Sequence, residues 1–209
     1  MTIVFNATTG ISTPPVSVQG DTSGSITLVA PAVAGTNTIT LPAGTGTVAV
    51  QGVSTNIVSE TAVASTSGTS IDFTDVPSWV KRITVMFRGV SLSGTSSFLV
   101  QIGSGSVTTT GYISSSGVIS FSNTTAGTNS TAGFLMYSQG AANTMSGNMV
   151  INTLGSNIWV SSNSIKLGTA NVGYGGGDIT LGGVLDRVRI TTVNGTDTFD
   201  AGSINILYE

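Results

Sequence analysis

Along this chain apolar side chains recur mostly at every second position, in short runs separated by Gly, Ser, Asn and Pro. The clearest run is residues 79–102, WVKRITVMFRGVSLSGTSSFLVQI. Trp79, Ile83, Val85 and Phe87 fall on one face, with Val80, Met86, Lys81, Arg82 and Arg88 on the other. The pattern predicts two strands of a hairpin turning at Ser93-Gly94-Thr95, with Pro77 starting the first. Residues 184–190 and 203–208 answer it near the C-terminus, with turn signals at Asn194-Gly195 and at Asp200-Ala201-Gly202. These runs are expected to be central strands of one antiparallel domain. Trp79, Phe87, Val188, Ile190 and Ile204 should then share its core.

Between them, strand-like runs return about every 10–15 residues with turn signals in the gaps. An edge strand is expected through Ile57, Val58 and Val63, and others at 111–113, 117–121, 134–137, 149–151, 158–160, 165–167 and 179–181. A turn is expected at 140–143, and loops at the polar stretch 122–133 and at 173–177, GYGGG. No stretch sustains a helical period. The fold class expected is all-β. Residues 53–209 should form a C-terminal antiparallel β-sandwich of jelly-roll-like form, with Trp159 and Trp79 as core anchors.

The first quarter of the chain reads differently. Residues 1–19 hold one apolar run, Ile3, Val4 and Phe5, before Gly10 and the pair Pro14-Pro15, which keeps the chain extended. This segment is too short for a core and needs a partner, so it is expected to be an extended anchor. Residues 20–52 carry a weak repeat: Ser25-Ile26-Thr27-Leu28 is echoed by Thr38-Ile39-Thr40-Leu41, each followed by a proline. Such short strands do not make a stable sheet singly, so a short intertwined β stem, wound from several chains, is expected here.

Composition narrows the function. Of 209 residues only 7% are charged and 39% are apolar, which departs from the highly charged, apolar-poor make-up of disordered chains. A net charge of -3, with basic residues never in a run longer than two, argues against nucleic-acid binding. No stretch approaches the length of a membrane span, and the opening residues do not read as a signal peptide. The chain has neither cysteine nor histidine, which removes disulfides, thiolate metal sites and Ser-His-Asp catalysis.

The run GDTSGSITLVAPAVAGTNTITLPAGTGTV resembles a segment of tailed-bacteriophage and cyanophage fibre-like structural proteins, where it precedes a C-terminal globular domain. The opening MTIVFNATTGIST resembles the starts of such proteins. DVPSWVKRITVMFRGVSLSGTSSFLVQIG and LDRVRITTVNGTDTFDAGSINILYE resemble the first and last strands of that domain. About half the chain is covered; residues 103–180 resemble nothing we can name. The resemblance implies a non-enzymatic virion surface protein, made in the host cytoplasm. It would be a short homotrimeric fibre or spike, attached to a capsid or tail protein by its N-terminal part, with Ile3, Val4, Phe5, Pro14 and Pro15 as the anchor. The alternative is a carbohydrate-binding adhesin for a host surface glycan.

No catalytic, cofactor or metal site is expected. The carboxylates Asp72, Asp75, Asp178, Asp186, Asp197 and Asp200 mostly sit beside turn residues, where Asp bonds its own backbone. Asp197 and Asp200 are a candidate calcium pair with loop carbonyls, without the spacing of a calcium loop. The glycines of 173–177 lack the helix and lysine of a phosphate loop. Tyr174 among them is the candidate recognition residue, an aromatic ring offered for stacking on a sugar. Glycosylation triplets occur at Asn6, Asn123, Asn129 and Asn194 and are expected to carry no glycan.

Overall fold

The computed structural model describes residues 57–209 except positions 139 and 142, together with the backbone of Val16–Gln19 and Ser25–Leu28. The chain divides into two compact units, Met1–Val48 and Ala49–Glu209. In the first, β1 (Val16–Gln19) pairs antiparallel with β2 (Ser25–Leu28), Val16 opposite Leu28. Ser25–Leu28 therefore has a strand partner within its own chain, taken from the segment read as the anchor. Ile3, Val4, Phe5, Pro14, Pro15 and the second copy of the repeat lie outside the described residues.

The second unit is all-β. Its strands in chain order are β3 (Val58–Ser59), β4 (Val63–Ala64), β5 (Ile71–Phe73), β6 (Arg82–Leu92), β7 (Phe98–Ser104), β8 (Ser106–Val107), β9 (Ile113–Ser120), β10 (Thr125–Ser130), β11 (Phe134–Met136), β12 (Met145–Gly155), β13 (Ile158–Leu167), β14 (Asn171–Thr180), β15 (Arg187–Thr192) and β16 (Phe199–Tyr208). A nine-stranded sheet runs β10-β9-β14-β13-β12-β6-β16-β3, with β4 also on β16. A five-stranded sheet runs β11-β7-β15-β5, with β8 on β7. The two layers form an antiparallel β-sandwich. Apart from β8 and β10, each of which pairs with the strand before it, the strands from β5 to β12 alternate between the two sheets. The β13–β14 hairpin widens the large sheet between β12 and β9.

Period two works where the strands are apolar. Ile83, Val85 and Phe87 of β6 and Ile204 and Ile206 of β16 point into the core, with Val188 and Ile190 of β15 opposite. Trp159 is buried as expected. Trp79 is not: β6 begins only at Arg82, so Trp79 falls in the turn before it, 43% exposed and leaning on the Tyr208 ring at 5.8 Å. Val80, expected outside, is buried for the same reason. Pro77 starts no strand.

Residues 79–102 are not a hairpin either. β6 and β7 lie in different sheets, and residues 93–97 cross between the layers. That crossing is bonded to a second one, residues 193–198: Ser93 N–H donates to the Thr198 carbonyl and Thr198 N–H to Ser93 Oγ, at 2.8 and 2.9 Å. Asp200-Ala201-Gly202 is not a turn but a bulge within β16, where the register against β6 shifts twice. Gly202 has φ +92°, and a β-carbon there would lie 2.5 Å from the Gly89 carbonyl, so the bulge needs glycine.

Both expected loops of the middle region are strands. Part of the polar stretch 122–133 is β10, and GYGGG lies inside β14, between β13 and β9. The reason is close approach, by the neighbouring strands β9 and β13 of the same sheet and by β11 of the facing one. Gly173, Gly175 and Gly177 face the small sheet; a β-carbon on Gly175 would lie 2.7 Å from the Ser115 carbonyl and 2.8 Å from Asn163 Nδ2. With those side chains absent, β11 comes near enough to bond directly. The N–H groups of Leu135 and Tyr137 donate to Ser114 Oγ and Ser116 Oγ, at 2.9 and 3.1 Å. The Leu135 carbonyl accepts from Asn163 Nδ2 at 3.2 Å.

Candidate functional site

The inward glycines of β14 alternate with outward residues, and Tyr174 is one of these. Register sets it between Ser164 of β13 and Gly117 of β9, and Gly117 in turn opposite Gly127 of β10. Tyr174 is 52% exposed and rises beside a floor that lacks side chains. A β-carbon on Gly117 would lie 3.6 Å from the Tyr174 hydroxyl, so the glycine leaves room next to the ring.

The result is an open trough of about 710 Å³ on the outer face of the large sheet, lined by Ser115, Gly117, Thr125, Gly127, Tyr174 and Gly176 among others. It continues past Ser115 and Gly176 into a recess of about 390 Å³ bounded by Ile113, Asn129 and Asp178. Each volume is in the range of small-ligand sites. Its chemistry is one aromatic face, serine and threonine hydroxyls, an amide, backbone groups and one carboxylate. Such a surface can stack on the apolar face of a sugar ring and exchange hydrogen bonds with its hydroxyls. It offers no nucleophile–base pair.

Tyr174 is thus exposed as the sequence suggested, but it stands on a strand and not on a loop. Sequence reasoning missed Ser115, Gly117, Thr125, Gly127 and Asn129, which build the trough with it. The signal was weak: residues 113–120, ISSSGVIS, and 171–178, NVGYGGGD, are rich in serine and glycine and carry too few apolar residues to show the strand period.

The remaining carboxylates are engaged in holding loops and edges. Asp197 accepts from Asn194 Nδ2 at 2.7 Å and from the Ser96 N–H at 2.9 Å, and these bonds hold its carboxyl below the usual carboxylate range. Asp200 accepts from the Ser91 hydroxyl. Each of the two has its own hydrogen-bond partners, and no group of three metal-ligating side chains occurs among the described residues. Asp72 takes Arg189 in two bonds of 2.6 and 3.0 Å. Asp186 takes Arg187, whose hydrogen bond lowers the Asp186 carboxyl, while burial works against it.

Comparison with known proteins adds no family: no family model, curated protein or solved structure matches the chain.

Proposed function

We propose that this chain is a non-enzymatic surface protein of a tailed-phage particle, a short fibre or decoration whose N-terminal part attaches it and whose β-sandwich is displayed. The observation that carries this reading is the placement of the fibre-like run. It falls within the separate unit Met1–Val48, ahead of a sandwich with a complete core of its own. An extended apolar segment binds by adding to a sheet edge or filling a groove on another protein, and the apolar run Ile3, Val4 and Phe5 suits that role. The partner is a capsid or tail subunit. Several chains, three in the fibre reading, associate through the stem.

Deletion of residues 1–15 tests the attachment. The cut is placed there because Val16–Gln19 pairs with Ser25–Leu28. The shortened protein should stay folded and keep the assembly mass of the native chain by sedimentation, and should no longer co-sediment with particles lacking the native chain. Retained attachment or a full chain that is monomeric at all concentrations defeats the reading.

A second reading, a carbohydrate-binding adhesin, is favoured by the Tyr174 trough. Tyr174→Ala should abolish binding on a glycan array and leave the melting temperature unchanged, because the ring is exposed. A native chain that binds no glycan removes this reading and leaves the first standing.

A further inference from the structure

Four strand edges bound the two sheets, and three are closed to further pairing by their own residues. At β11 the outward N–H groups of Leu135 and Tyr137 are taken by Ser114 and Ser116. β5 is three residues long and carries Asp72, paired to Arg189. The β3–β4 edge is broken into two-residue pieces around Glu60, whose carbonyl is held by Asn205 Nδ2 at 2.8 Å. Short, charged or broken edges are the usual protection against added strands.

β10 has none of these protections. Thr125–Ser130, TAGTNS, is six residues long with no charge, no proline and an unbroken register against β9. The Ser120 N–H donates to the Thr124 carbonyl at 2.9 Å. By antiparallel alternation, Ala126, Thr128 and Ser130 turn their backbone groups to β9, while Thr125, Gly127 and Asn129 turn theirs outward. No strand among the described residues meets them.

We propose that this edge pairs with β10 of a second copy of the chain, antiparallel about a two-fold axis at Gly127. The strand is complementary to itself. That register sets Gly127 against Gly127, and Thr125 against the partner's Asn129, so no like charges meet and a hydroxyl faces an amide. An uncharged edge, in a chain with only 7% charged residues, has nothing to select a partner of opposite charge. The pairing also has a consequence on the outer face. The row Tyr174, Gly117, Gly127 continues through the partner's Gly127, Gly117 and Tyr174. At about 4.8 Å per strand, the two rings stand roughly 24 Å apart across one glycine floor. Two half-troughs become a single one.

Sedimentation of the full chain over a range of concentrations tests this against a charge series. Thr125 and Asn129 are both exposed, so lysine is tolerated at each. In Thr125→Lys/Asn129→Lys, lysine meets lysine across the axis, and the assembly mass should fall to half that of the native chain. In Thr125→Glu/Asn129→Lys, glutamate meets lysine, and the native mass should return. Amide exchange supplies the second readout. The N–H groups of Thr125, Gly127 and Asn129 should exchange slowly in the native chain and fast in the double-lysine variant. Those of Ala126 and Thr128 should stay slow in both, which shows that β10 remains folded. Equal masses for native and double-lysine chains overturn the proposal, as does failure of the glutamate–lysine pair to restore the mass. Slow exchange at Thr125, Gly127 and Asn129 with an unaltered mass overturns it too, since another segment of the same chain then covers the edge.

Discussion

The two halves of the large sheet meet the facing sheet by different chemistry. In the β12–β6–β16 half, inward positions are Val, Ile, Met and Phe, and the contact is made by buried apolar surface. In the β10–β9–β14 half, the corresponding positions include Ser114, Ser116, Gly173, Gly175 and Gly177. There the contact is close approach, with serine hydroxyls and the Asn163 amide serving the backbone of β11. The first half is held by an undirected force that tolerates some repacking. The second depends on geometry, because its buried N–H groups lose their partners if the sheets separate. The same economy of side chains leaves the outer face of that half as a glycine floor, and Tyr174 stands on it.

Removing apolar volume should have the largest effect. Phe87→Ala, in the apolar half, should cost about 3–5 kcal/mol and lower the melting temperature clearly. A loss the size of a surface substitution would mean that the β6 face is not part of the main core. In the glycine half the damaging change is an addition. Gly175→Ala puts a β-carbon 2.7 Å from the Ser115 carbonyl. It should cost about 1–3 kcal/mol, while Gly182→Ala, with nothing within 4 Å of its β-carbon, should be near neutral in denaturant unfolding. Equal effects at the two glycines would erase the distinction between the halves.

Tyr112 sharpens it further. Its hydroxyl accepts from the Ile102 N–H at 2.8 Å and donates to the Ile102 carbonyl at 3.1 Å, doing for β7 what another strand would do. Tyr112→Phe leaves both groups unpaired in the core and should cost about 1–3 kcal/mol at neutral pH. Burial raises the Tyr112 phenol well above its ordinary value of 10.0, with the Ile102 bond working the other way. Above pH 10 the unfolded chain releases this proton and the folded chain keeps it, so the stabilisation is full below that pH and falls as pH rises through it. The stability gap between native and Tyr112→Phe chains should therefore narrow above pH 10. Tyr208, also raised by burial and by Glu60, is common to both chains and cancels. Trp79→Ala should have a small effect, below about 1 kcal/mol, since the ring lies on the surface against Tyr208.

These contrasts also explain what was legible in the sequence. The all-β class, the edge strand at Val58 and Val63, and the core positions of β6, β15 and β16 follow from apolar alternation. The same rule carried too far placed Trp79 in the core, because alternation does not say where a strand begins. The hairpin reading of 79–102 failed because two adjacent strands look alike whether they pair or arch between layers. Here the bonds from 93–97 to 193–198, about 100 residues away in sequence, decide it. GYGGG and TAGTNS read as loops because glycine, serine and threonine carry no apolar signal, although each lies in a well-registered strand. Tyr174 was visible as a lone aromatic; the trough beside it was not, since it is made of absent side chains.

The location of the chain tests the central claim most directly. Purified phage particles, labelled with an antibody raised against the β-sandwich and imaged, should carry the label on the outer surface of head or tail, and the chain should be found among the particle's proteins. A chain that is abundant in infected cells but absent from purified particles would contradict the account.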